Sequence, residues 1–305
     1  MDRLNSILVA VDFSPCSASA FRQAARIAEW NRASLAVLHV VALPSYVATP
    51  HRLIPFDLPT QGDFAPEARQ QWEQFATECS AKSTVALDIK MGSPRERILE
   101  RVRLDKPDLL VLGSHSVLDA DKGIGPTAAA LVQRAETKVL LVREGHAGPF
   151  KNVVACIDFT DTSRSALEQA IRVAAQDDAV LHILHVYDNP WYEFRPPAAL
   201  EANMPDFKAQ YKRAVEDRVR EFCEPLAHEI NALKAVFHGM ESEWRGGGYG
   251  HAIVAFVKRE GCDLTVLGTR AKWNLRDFFW GTTAERVVRS APCSILAIKP
   301  EPDGQ

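Results

Sequence analysis

The sequence predicts an α/β protein made of two tandem doubly wound, Rossmann-like units. Each is a five-stranded parallel sheet of strand order 3-2-1-4-5. Three observations predict this. The chain repeats itself: "SILVAVDFSPCSASAFRQAARIA" from Ser6 returns as "NVVACIDFTDTSRSALEQAIRVA" from Asn152. Asp158 follows Asp12, and His185 follows His39, at one common offset. Short runs apolar on both faces, as strands covered by helices require, alternate with segments of helical spacing. A repeat this long means whole domains, and 305 residues suit two of roughly 150 each.

In chain order, the first copy offers strands at Ile7–Val11, Leu35–Val41, Val85–Ile89, Leu109–Leu112 and Val139–Val142. The second offers Val153–Ile157, Val180–Val186, Leu233–Phe237, Leu264–Leu267 and Ile295–Ile298. Between them, Phe21, Ala24, Ala25 and Ala28 share one helical face, and Val215, Val219 and Phe222 another. Ser14-Pro15 and Ser93-Pro94 read as an N-cap with proline at the first helical position. Strand–helix–strand order implies right-handed parallel crossovers. The predicted domains are 1–144 and 150–300, and the brief link Glu144–Phe150 predicts two halves that touch. After each second strand comes an insert rich in proline and aromatics, Leu43–Glu67 and Asp188–Lys208. Each is expected to be an irregular surface loop, with a lid or partner surface as the alternative.

Composition narrows the function. Apolar content of 47% and charged content of 25% are ordinary for a soluble globular chain. No apolar stretch is long enough to span a bilayer, and the opening residues do not read as a secretory leader, so a cytoplasmic location is expected. The six cysteines are scattered without a C-x-x-C pair, which suits a reducing compartment and offers no zinc spacing. A net charge of −3 gives no general nucleic-acid footprint.

Ligands of open α/β sheets bind beyond the strand carboxyl ends, where strand order reverses. In the second copy those ends are Asp158 and Gly268, and "GTRAKWNLRDFFWGTTAERVVRSAPCSILAIK" follows. Gly268 allows a sharp turn and close backbone approach. Gly281-Thr282-Thr283 opens a helix, whose free N–H groups attract phosphate. Arg270, Lys272 and Arg276 offer positive charge, although scattered charges are by default a solvated face. Trp273, Phe278, Phe279 and Trp280 are expected to pack the loop or an interface. Asp12 and Asp158 equally suit helix capping, and Gly113 and Gly268 equally suit plain strand-to-helix turns.

These residues resemble the universal stress protein family in its tandem two-domain form, over nearly the whole chain. ATP-binding members carry G-x2-G-x9-G-[S/T] at this place. Gly268, Ala271 and Gly281-Thr282 keep that spacing, with alanine in place of the second glycine. The resemblance implies ATP, with magnesium on its phosphates, held in the second copy by Cys156, Asp158, Val186, Leu267, Gly268, Arg270, Ala271, Gly281, Thr282 and Thr283. Asp158 would contact the nucleoside and the Val186 backbone would face adenine. No catalytic residue and no protein metal site is implied, and any hydrolysis should be slow. The first copy departs further. Ser116 replaces the glycine, only eight residues precede Gly125, and Pro126 replaces the hydroxyl residue and brings no N–H. Asp119 and Asp121 add negative charge. That copy is expected to hold triphosphate weakly or not at all.

Family resemblance also implies an intrachain pseudo-dimer through the last strands, and a possible homodimer. "RGGGYGH" (Arg245–His251) lacks the ending of a P-loop and reads as a hinge into a helix. His182 and His185 lie three apart on a strand and point to opposite faces. His39 and His185 are expected to pack or bond locally. Two rival functions stay open: a nucleotide-free interaction module, and an ATP-using hydrolase or phosphotransferase.

Overall fold

The computed structural model describes residues 4–42, 61–80, 85–115, 124–188, 190, 204–242, 248–269 and 281–300. The chain divides into two compact units, Asp2–Gly148 and Pro149–Gln305.

In the first unit the order is β1 (Ser6–Val11), α1 (Pro15–Asn31), β2 (Ser34–Ala42), α2 (Gln61–Glu78), β3 (Leu87–Gly92), α3 (Pro94–Asp105), β4 (Leu109–Gly113), α4 (Pro126–Arg134) and β5 (Lys138–Val142). Within the unit β1 pairs in parallel with β2 and β4, β2 with β3, and β4 with β5. The second unit runs β6 (Asn152–Ile157), α5 (Asp161–Asp177), β7 (Val180–Tyr187), α6 (Met204–Cys223), a 3-10 turn (Glu224–Leu226), α7 (Ala227–Asn231), β8 (Lys234–Glu241), α8 (Tyr249–Glu260), β9 (Leu264–Gly268), α9 (Thr282–Ser290) and β10 (Ser294–Ile298). There β6 pairs in parallel with β7 and β9, β7 with β8, and β9 with β10.

Burial follows from this pairing. Leu110 and Val111 of β4, and Leu264 and Val266 of β9, are fully enclosed, as strands flanked by others and covered on both faces must be. In contrast β3 and β8, each paired to one neighbour, are only half-buried along most of their length. The apolar pattern predicts Val85–Ile89 and Leu233–Phe237, but backbone pairing carries β3 on to Gly92 opposite Ala42, and β8 on to Glu241 opposite Tyr187. Polar residues such as Asp88 and Lys90 are tolerated because the edge is solvated.

The inserts are not wholly irregular. Residues 61–67 already belong to α2, which buries Ala68 and Phe75, and residues 204–208 already belong to α6. Ser14 caps α1 by accepting from the Ser17 N–H, whereas Ser93 makes no such bond to α3. Thr160 and Ser163 form a reciprocal capping box on α5. Gly248 opens α8, so "RGGGYGH" does lead into a helix, while 243–247, where the hinge was expected, lie outside the described residues.

Candidate functional site

The turn that follows the first strand is built identically in both units. Asp158 is exposed, and its Oδ1 accepts from the Thr160 hydroxyl at 2.6 Å and the Thr160 N–H at 3.2 Å. Asp12 does the same for Ser14, at 2.6 and 3.1 Å. Each aspartate thus holds the residue that caps the next helix, leaving Oδ2 without a described partner. Between aspartate and cap stands a phenylalanine in the left-handed region, Phe13 (φ 61°) or Phe159 (φ 63°). For an L-residue this conformation costs about 1–2 kcal/mol. Ring contacts offset it. Phe13 lies 4.3 Å from His39, and Phe159 lies 4.3 Å from His185 and 5.6 Å from Phe222. Each histidine donates from Nδ1 to the last carbonyl of the first strand, His39 to Val11 at 2.8 Å and His185 to Ile157 at 2.9 Å. Burial lowers the pKa of both, while that carbonyl and the neighbouring aspartate pull upward.

Sheet register brings several predicted residues to one face. Cys156 pairs with Leu184 on one side and Leu267 on the other, so these three side chains project together. Carried on, the alternation puts Asp158 and Val186 on that same face. It is the face covered by α8, because His182 of β7 meets Phe256 of α8. Cys156 stays a thiol, since burial, then Cys262, Cys293 and Asp158, drive its pKa strongly upward.

Gly268 points to the opposite face, where the structure gives a reason of its own for glycine. A Cβ there would lie 2.9 Å from the Thr162 Cγ2 at the start of α5. Gly113 is likewise pressed by Cys16 and Ser17 of α1. Both glycines let the first helix of the unit approach the fourth strand.

Gly281 is different. It is extended (φ −61°, ψ 137°), no described side chain caps the helix it opens, and no described atom lies within 4 Å of where its Cβ would be. Thr282 is exposed and Thr283 half-buried behind it. An uncapped helix start of this kind turns N–H groups and the positive end of the dipole outward. In the first unit Gly125 occupies the corresponding cap, but Pro126 at the first helical position removes one of those donors, and the Gly125 N–H is taken by the Ser114 carbonyl at 2.8 Å. Its neighbours also differ. His115 contacts Ser114 Oγ at 3.1 Å and Glu144 Oε2 at 3.2 Å, and the Cys16 thiol donates to the Val142 carbonyl at 3.4 Å. Arg270, Ala271, Lys272, Trp273, Arg276 and Phe278–Trp280 lie outside the described residues, as do Ser116, Asp119 and Asp121.

Two residues given no site role from the sequence, Asp188 and Tyr249, meet beside this face. Asp188 follows β7, and its Oδ2 accepts a short hydrogen bond from Tyr249, the first residue of α8. Burial and then this bond push the phenol up to about 12, so it remains the donor. Next to it, Gly250 lets α8 meet α9: a Cβ there would lie 2.7 Å from Arg286 Cβ and 3.0 Å from the Thr283 carbonyl. The only sequence signal was an acid directly after a strand. Among the described residues no group of three or more His, Cys, Asp or Glu is placed to hold a metal ion, and no helix is long and apolar enough to cross a membrane.

Comparison with known proteins agrees with the duplication. The sequence model described as "Universal stress protein family" matches residues 4–143 and again 149–299. A universal stress protein of Methanocaldococcus jannaschii is 27% identical over 160 residues, covering 52% of this chain and 87% of the relative. Universal stress protein A homolog 1 of Coxiella burnetii is 23% identical over 149 residues, covering 49% of this chain and 96% of the relative. Among solved structures, a universal stress protein from Archaeoglobus fulgidus covers 98% of this chain and 98% of its own, with TM-score 0.62 at 17% identity. A functionally unknown protein from Pseudomonas aeruginosa covers 98% and 93%, with TM-score 0.64 at 17% identity. At that identity the likeness concerns fold alone.

Proposed function

The chain belongs to the universal stress protein family, and from that premise we propose that it binds ATP in its second unit and uses the nucleotide as a conformational or partner-binding switch. The observation that carries this is Gly281. Among the described residues no side chain caps the helix that this glycine opens, and none gives a packing reason for glycine. Thr282 and Thr283 add hydroxyls beside those N–H groups. Asp158, on the face shared with Cys156, Val186 and Leu267, keeps Oδ2 for the nucleoside. Arg270 and Ala271 complete the set by sequence position. Magnesium would bridge phosphate oxygens and keep most of its water. The first unit, with Pro126 at the matching helix start, serves as a nucleotide-free partner domain.

On this reading each unit keeps strand order 3-2-1-4-5, and domains 1–144 and 150–300 associate through their last strands. An apolar edge invites a partner, which also permits a homodimer. The protein acts in the cytoplasm, and hydrolysis is at most slow.

Titration calorimetry with Mg-ATP should give one site per chain. Gly281→Asp places a carboxylate at the cap of α9. It should abolish binding while stabilising the helix by a few tenths to about 1 kcal/mol. Two sites per chain, or undiminished binding in that variant, would overturn the proposal. Absence of binding to the wild-type protein would favour the nucleotide-free module, and turnover near ten per second, a common enzyme value, would favour the enzyme.

A further inference from the structure

Asp188 carries an unexplained cost. Its Oδ1 is closed off from solvent and accepts no hydrogen bond among the described residues, while Oδ2 is held by Tyr249. Leaving a buried carboxylate oxygen unpaired costs about 1–3 kcal/mol or more, so its retention calls for a reason. The place supplies one. Asp188 continues the alternation of β7 that includes Val186, so it faces the same side as Asp158 and Cys156. The strands run side by side as β9, β6, β7, about 4.8 Å apart. The helix start at Gly281 lies beyond β9, Asp158 directly follows β6, and Asp188 directly follows β7. A nucleotide with its phosphates at α9 therefore lays its sugar over β6 and its base toward β7, roughly 10 Å away.

The internal repeat points the same way. In the first copy the place of Asp188 at the end of the second strand is taken by Ala42, and the place of Tyr249 at the start of the helix after the third strand by Pro94. The acid–phenol pair thus occurs only in the copy whose helix start kept its donors.

The geometry points to Asp188 as the residue that reads the base: its free Oδ1 accepts a hydrogen bond from the exocyclic amine of an aminopurine. Tyr249 is the positioning residue that fixes the carboxylate, and Gly250 ties this arm to the first turn of α9 at Thr283. This assignment rests on nucleotide binding in the second unit. Adenine offers an amine to the carboxylate, whereas hypoxanthine offers a carbonyl that the carboxylate repels.

The test is the ratio of dissociation constants for ATP and ITP, measured by calorimetry on the full chain. The wild type should favour ATP by about 10- to 100-fold, the usual worth of a hydrogen bond to a charged group. Asp188→Asn keeps the shape and can turn an amide N–H toward the hypoxanthine oxygen, so the ratio should fall to within about threefold. Tyr249→Phe should narrow the ratio less. A merely structural role would weaken both nucleotides equally, and melting curves without nucleotide confirm that the variants are folded. If Asp188→Asn leaves the ratio intact, the base assignment falls and ATP binding stands. If it alters the ratio of ATP to 2′-deoxy-ATP instead, Asp188 reads the sugar and the base assignment is wrong. A wild-type protein that binds neither nucleotide removes this inference together with the function proposed above.

Discussion

Replacing Gly268 with alanine decides why glycine ends β9. The added Cβ would sit 2.9 Å from Thr162 Cγ2 and 3.4 Å from Thr162 Cβ, against a comfortable carbon–carbon separation of about 3.5–4.0 Å. Overpacking by one methyl group costs about 1–3 kcal/mol. Two terms reduce that. The conflicting group is a half-buried side chain that can turn, and alanine lowers the entropy of the unfolded chain by about 0.4–1 kcal/mol. The net expected loss is about 1 kcal/mol. With an m-value of about 2 kcal/mol/M, the urea midpoint of the second unit should fall by about 0.5 M. Thr162→Ser deletes the offending Cγ2, so the double variant should recover most of the loss, with a coupling near 1 kcal/mol in the double-mutant cycle. Gly113→Ala in the first unit should be worse, about 2 kcal/mol or more. There the Cβ meets backbone as well as a thiol: Cys16 C at 3.1 Å and Ser17 N at 3.2 Å, besides Cys16 Sγ at 3.0 Å. Cys16→Ala should not rescue it. A Gly268→Ala protein as stable as wild type, or one indifferent to Thr162→Ser, would refute the helix-packing account of this glycine. A stable double variant that has lost ATP would restore the ligand-approach account.

Two further predictions concern the turn and the histidines. Phe159→Gly and Phe159→Ala both lose the contacts to His185 and Phe222, but only glycine is at ease at φ 63°, so the glycine variant should be more stable than the alanine variant by about 0.5–1 kcal/mol in urea unfolding; equal stabilities would mean the turn is not held in that conformation. His182 Nδ1 and His238 Nε2 share one hydrogen bond at 3.0 Å, and burial lowers the pKa of both below 6.5, with Glu260 pulling both up and, at His238, the charges of His182 and Arg259 pushing further down. The unfolded chain then binds more protons than the folded one between the lowered values and 6.5, so stability should be full above about pH 6.5 and decline as pH falls below it. His238→Gln should flatten that decline without removing it, because His39 and His185 act in the same direction, and a urea midpoint that rises on acidification would contradict the assignment.

Much of the molecule was legible because it is written locally. Strand positions, the caps at Ser14, and the Asp12 and Asp158 turns all depend on residues a few places apart. What escaped depends on distant partners. Tyr249 meets Asp188 across 61 positions, linking the end of β7 to the helix after β8, and no local pattern announces it. The ends of β3 and β8 follow the pairing of β2 and β7 and not their own apolar residues. Phe13 and Phe159 take a conformation usually reserved for glycine because His39 and His185, on the next strand, hold their rings. Gly268 reads from the sequence as either a ligand approach or a plain turn, and its contact with Thr162, which lies on a helix whose approach only the folded unit shows, is not legible there.

One carboxylate in each copy fastens a helix and, on the proposed function, is in the second copy also offered to a ligand. That double duty bears on how duplicated domains diverge. On that reading, a copy that stops binding leaves its glycines and hydroxyl residues free to drift, as at Ser116 and Pro126, but not Asp12, because α1 still hangs from it through Ser14. The acid is thus the last relic to disappear from a retired site. On the proposed function, a search keyed to it would count two working sites where the chain keeps the means for one.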